Sequence, residues 1–134
     1  MMNRFAGATH GLLRIVSGLL FFFPGSMKLL GWWGGMPVPM TPLLTVAGVL
    51  ELVGGPLIML GLFTRPVAFI LSGEMAFAYF MGHFPHGFWP IQNQGEPAVL
   101  FCFIFLFLWG NGAGPFSLDH LIASRRGGAR PHGS

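Results

Sequence analysis

The stretch that most restricts this chain is Thr45–Leu60, TVAGVLELVGGPLIML, an apolar run with a single carboxylate, Glu51, near its middle. With its flanks it is long enough to cross a bilayer as a helix. A carboxylate at that depth costs about 3 kcal/mol or more unless it is paired, hydrogen-bonded or protonated. Gly48 and Gly55, three residues before and four after, share Glu51's side of the helix, where a second helix can come close. Pro56 has no N–H to give to the Leu52 carbonyl. The expectation is that Glu51 faces protein and that another span supplies its polar neighbour.

Composition fixes the solvent. Hydrophobic residues make up 53% of the 134 residues and charged residues 8%, about a third of the usual charged fraction of a soluble domain. A chain this small cannot hide that much apolar surface from water, so it reads as an integral membrane protein. The net charge of +3 comes mostly from arginines near the ends, which suits anionic lipid headgroups and not nucleic acid. Cys102 is the only cysteine, so an intramolecular disulfide or dithiol relay is excluded.

Four apolar segments follow one another, predicting an all-α, polytopic membrane protein built as a four-transmembrane-helix bundle. The domain division is 1–116 for the bundle and 117–134 for an interfacial segment and basic tail. Helix one is predicted over Thr9–Leu30 and read as a retained span, not a cleaved leader. Within it Arg14, Gly18, Phe21, Gly25 and Lys28 recur at helical spacing and form one stripe. Helix two is predicted over Pro42–Leu62, helix three over Pro66–Gly82 with Glu74 near its centre, and helix four from Glu96 to about Trp109. Gly31–Thr41, with Trp32, Trp33 and the Pro37-Val38-Pro39 step, reads as an interfacial loop. His83–Gly95 reads as the longest non-helical stretch. Ser117 is placed to cap a short amphipathic segment that precedes Arg125, Arg126 and Arg130. Arg4, Arg65, Arg125, Arg126 and Arg130 fall on one side and Lys28 near the other. The positive-inside rule then predicts a multi-pass chain with both termini cytoplasmic.

These residues resemble those of the DoxX family of small four-helix bacterial membrane proteins, a resemblance that implies a bacterial inner membrane. The resemblance rests on Arg14 and Gly18, Gly25 with Lys28-Leu29-Leu30-Gly31, Leu50-Glu51-Leu52-Val53-Gly54-Gly55, Gly61-Leu62-Phe63-Thr64-Arg65, His83, Asn93-Gln94-Gly95-Glu96 and Phe116-Ser117-Leu118-Asp119. Gln94 departs from the more usual Asn-Gly-Gly-Glu. The resemblance implies a four-helix membrane fold and an association with quinone-linked redox systems. It brings no defined catalytic set.

Two constellations stand out. The first is the intramembrane polar set Arg14, Lys28, Glu51 and Glu74, two cations and two acids. It reads either as a network that fixes helix register or as a headgroup, quinone or proton site; Glu51 is expected to pair with Arg14 or Lys28. The second is the outward loop, where His83, His86, Asn93, Glu96 and Trp89 are candidates for a quinone or small-molecule pocket. His83, His86 and Glu96 have the chemistry of metal ligands, but Pro85 interrupts any helical spacing between the histidines, and no metal is expected. Asn93 and Glu96 also fit a capping box on helix four. Cys102 reads as an inert thiol. The leading functional expectation is a non-catalytic accessory subunit of a larger membrane redox or bioenergetic complex. The alternative is a quinone-binding oxidoreductase component fed by a partner. No intrinsic cofactor is expected beyond quinone or bound lipid; the expected partners are membrane lipids and other membrane-protein subunits, with no nucleic acid.

Overall fold

The computed structural model describes residues 2–35 and 39–127. The Pro37-Val38 step, the tail with Arg130, and the side chains of Arg4 and Arg126 lie outside what it describes. The elements are α1 (Met2–Leu30), α2 (Pro42–Leu60), α3 (Thr64–Ala78), α4 (Pro90–Asn93), α5 (Glu96–Asn111) and α6 (Leu118–Gly127). Among the described residues there is no strand. Phe5–Leu30, Pro42–Leu60 and Thr64–His86 are long and apolar enough to cross a membrane, and α5 is a shorter apolar helix. The fold is an all-α membrane bundle. Its outer surface agrees, since Val46, Val53, Phe69, Phe77, Leu100 and Phe103 are all at least half exposed. That much continuous apolar surface belongs against acyl chains.

Helix boundaries follow local chemistry. Thr41 caps α2 by accepting from Leu44 N at 3.1 Å, with Pro42 in the first turn. Gly61 ends α2 in the left-handed region at φ 68°, earlier than the predicted Leu62, with its N–H on the Ile58 carbonyl. α1 starts earlier than Thr9, because nothing in residues 2–8 breaks a helix and Gly7 and Gly11 give it room to lie against Pro115 and Phe116. The stretch predicted as non-helical from His83 is instead a series of short turns. A π-helical turn over Tyr79–His83 extends α3, a 3₁₀ turn covers Phe84–His86, and α4 follows.

The bundle is organised as two tight pairs. α1 packs on α2 antiparallel through the predicted stripe, where glycine meets glycine. A methyl group on Gly25 would sit 2.5 Å from Leu52 N and 2.8 Å from Glu51 Cβ, and one on Gly55 would sit 2.8 Å from the Gly18 carbonyl. The second pair, α3 with α5, buries Ala68, Leu71, Met75, Ala98, Phe105 and Leu108. Ser72 Oγ donates to the Cys102 carbonyl at 2.8 Å. Phe21 of α1 joins the pairs, meeting the Phe105 ring edge-on at 4.9 Å between centroids.

The glycine seam predicts a sharp contrast. Gly25→Val is expected to lower the unfolding midpoint in detergent by the cost of overpacking, about 1–3 kcal/mol or more, because the near atoms are backbone. Gly73→Ala, whose added carbon meets nothing within 4 Å, is expected to be neutral or slightly stabilising. Equal melting curves for the two variants would contradict the seam.

Candidate functional site

The partner that Glu51 requires is Lys28. Its Nζ donates to Glu51 Oε1 at 2.7 Å, with the two side chains 12% and 5% exposed. The register of the seam makes this pair: with Gly48 against Leu29 and Gly25 against Glu51, the last turn of α1 lies over the middle of α2.

Arg14, the other candidate, is not part of this group. It is 1% exposed and lies at the end of the bundle where α2 stops and Phe116 precedes α6. Its Nε donates to the Ile58 carbonyl at 2.9 Å, Nη2 to those of Met59 at 3.2 Å and Phe116 at 2.8 Å, and Nη1 to that of Ala113. It therefore caps the C-terminal end of α2, where orphan carbonyls and the helix dipole favour a cation. Nearby, Asp119 holds the α2–α3 turn. Its two carboxylate oxygens accept from Phe63 N and Thr64 N, each at 2.8 Å, and its own N–H reaches the Gly61 carbonyl at 2.8 Å. Phe63 sits at φ 53°, an uncommon conformation for a side chain of that size, and this clamp holds it. Ser117 Oγ accepts from His120 N at 3.1 Å at the head of α6. This end of the bundle is thus a structural lock between α1, the α2–α3 turn and α6. Asp119 has no role legible in the sequence, because its place one residue after the apolar Leu118 holds no signal that it would cap a helix some 55 residues away.

Beside the Lys28–Glu51 pair, α2 and α3 diverge and leave a cavity of about 450 Å³. Leu43, Leu44, Ala47, Leu50, Phe77 and Met81 are among its apolar walls, and Lys28, Glu51, Glu74 and His83 are its titratable lining. The Glu74 carboxyl adjoins that of Glu51, and both Glu74 oxygens are shielded without a hydrogen-bond partner. The cavity runs from Glu51 and Glu74 at mid-helix to Leu43, Gly82 and His83 near the start of α2 and the π-helical turn. It collects residues from both predicted constellations. The wall residues were missed, because an apolar side chain facing a cavity has the same pattern as one facing lipid.

The rest of the His83–Gly95 stretch is spent on its own structure. Asn93, 4% exposed, donates from Nδ2 to Tyr79 OH at 3.2 Å and to the Gly87 carbonyl at 2.9 Å, while its Oδ1 accepts from Gly95 N at 2.8 Å. His83 Nδ1 lies 3.0 Å from the Asn93 carbonyl. Asn93 therefore ties the loop to the π-helical turn and lies outside the cavity lining. The capping box does not form: Gly95 is the N-cap of α5, with no side-chain cap. His86, Trp89 and Glu96 are exposed and do not line the cavity. Among the described residues no three of the His, Cys, Asp and Glu side chains converge as a metal site would need. Cys102 is a half-buried free thiol beside Ser72.

The sequence model described as DoxX matches residues 10–84, a span that contains α1 from His10 onward, α2, α3 and every residue lining the cavity. A relative from Haemophilus influenzae, described as an uncharacterized protein, is 45% identical over 119 residues, 81% of this chain and 86% of the relative. No solved structure matches the chain. With α2, α3 and the Lys28–Glu51 pair inside the matched span, which covers more than half of the chain, the chain belongs to the DoxX family.

Proposed function

We propose that this membrane protein is a quinone-binding component of a larger membrane redox or bioenergetic complex, with a partner handling the electrons. The observation that carries this reading is the cavity between α2 and α3. Its volume of about 450 Å³ falls within the range of small-molecule sites, and it combines apolar walls with a few convergent polar groups. The divergent, lipid-facing edge made by Val46, Ile70 and Phe77 suits an isoprenoid chain that reaches the cavity from the bilayer. The polar residues suit a ring with oxygens. Lys28 retains ammonium protons beyond the one given to Glu51 and can hold a ring oxygen, His83 stands at the rim, and Glu51 and Glu74 can hold protons. A bound quinone would supply two-electron, two-proton chemistry, which the single cysteine cannot.

The non-catalytic accessory reading keeps one observation of its own. The outward face of α5 exposes Leu100, Phe103 and Phe107, a surface suited to another subunit's helix as well as to lipid. The same proposal puts the chain across a bacterial inner membrane with both termini cytoplasmic, because Arg65 and Arg125 lie at the inner end with α6 and Lys28 lies toward the other.

The test is decylubiquinone titrated into the purified protein in lipid nanodiscs. Saturable binding near one per chain is expected, and Ala47→Phe, which fills the cavity, should abolish it without lowering the melting midpoint. A wild-type protein with no saturable binding, found with a stoichiometric large subunit in mild detergent, would leave only the accessory role.

A further inference from the structure

We propose that the cavity is built for a headgroup that donates hydrogen bonds, so that it selects a reduced, hydroquinone-headed lipid over the oxidised quinone. This rests on the reading of the cavity as a quinone site and assigns the form that the site prefers. The argument is a count of donors and acceptors. Lys28 Nζ commits one proton to Glu51 Oε1 at 2.7 Å. No donor in the protein reaches either Glu74 oxygen, and their polar neighbour is the Glu51 carboxyl. A proton shared with the adjoining Glu51 carboxyl is spent between the two acids, and an oxygen of Glu74 still remains as an acceptor. At the rim, His83 Nδ1 faces the Asn93 carbonyl at 3.0 Å. A carbonyl only accepts, so Nδ1 is the donor of that bond, and in the tautomer that the bond selects Nε2 is a further acceptor.

The lining is therefore rich in acceptors, and its spare donors are the remaining ammonium protons of Lys28. An oxidised quinone brings two carbonyl acceptors; Lys28 can serve one of them, and Glu74 stays unmatched. A hydroquinone brings two hydroxyl donors on the same apolar body. A buried acceptor left unpaired is costly, and a site whose polar groups need a partner discriminates strongly against the analogue that lacks it. Glu74 sits beside an ion pair that is already complete, in a cavity that a ligand can enter. A donor on that ligand supplies what the fold does not.

The experiment is isothermal titration of wild type and Glu74→Leu in lipid nanodiscs, under anaerobic conditions, with decylubiquinol and with decylubiquinone. Wild type is expected to bind the reduced form about tenfold more tightly, the factor that one well-made hydrogen bond supplies. In Glu74→Leu, which removes the acceptor, the ratio is expected to fall toward one. No donor in the protein reaches the Glu74 oxygens, so the variant's melting midpoint should equal or exceed that of wild type, which separates lost selectivity from lost folding. Equal or tighter binding of the oxidised form to wild type would overturn the donor assignment and leave the quinone site standing. Failure of both forms to bind would remove the site itself.

Discussion

Arg14→Leu is expected to leave little folded protein in the membrane. The guanidinium is 1% exposed and spends its donors on four backbone carbonyls, at Ile58, Met59, Ala113 and Phe116. Leucine fills similar space but gives none of these oxygens a donor. Each hydrogen bond to a charged group is worth about 1.5–3 kcal/mol, and carbonyls stranded away from water add their own cost. A total of about 3–5 kcal/mol is a conservative expectation, against a whole-domain stability of about 5–15 kcal/mol. Arg14→Lys keeps a cation at the end of α2 but loses the planar fork, so it should fall between the two. The measurements are accumulation in membranes and the melting midpoint in mild detergent. A midpoint for Arg14→Leu within about 2 °C of wild type would contradict the lock, since about 1 kcal/mol moves the midpoint by more than that in a chain of this length.

The second large effect is expected at Lys28. Lys28→Met removes the one cation bonded to Glu51 and strands a carboxylate that is about 5% exposed. Breaking a buried pair from one side costs about 3–5 kcal/mol, whereas replacing both members with apolar residues is often neutral or better. The double variant Lys28→Met/Glu51→Leu should therefore recover most of the midpoint lost by Lys28→Met, and the double-mutant cycle should be strongly non-additive. Glu51→Leu should not rescue Arg14→Leu, because the guanidinium contacts no part of the Lys28–Glu51 pair. Rescue there as well would mean that one polar network runs the length of α1. In either case the recovered double variant should bind quinone more weakly, since Lys28, the lining's ammonium donor, is gone.

These two expectations divide what could be read from the chain from what could not. The stripe Arg14, Gly18, Phe21, Gly25 and Lys28 was legible, because a helical period of 3.6 residues puts those positions on one face whatever lies opposite. All five do face inward: Arg14, Gly18, Phe21 and Gly25 are buried and Lys28 is partly so. The spans were legible for the same reason, together with the length a bilayer demands. The choice between Arg14 and Lys28 as the partner of Glu51 was not. The two lie on the same stripe 14 residues apart, about 21 Å along a helix axis, and periodicity is silent about how far one helix slides along another. The His83–Gly95 stretch shows the same limit. Its histidines and Asn93 were visible as chemistry, but only the packing of Asn93 beneath Tyr79 and Gly87 shows it used up as a brace.

The sequence by itself determined the solvent, the helices and the demand for a polar neighbour at Glu51, because each depends on residue type and local spacing alone. Tertiary structure decided which cation answers that demand, where Arg14 is spent, and that α2 and α3 part beside Glu74. The physical reason is that α2 turns its glycine face to α1, leaving bulkier Leu43, Ala47 and Leu50 toward α3. A cavity is the space between two surfaces, and its shape exists only once both helices are placed.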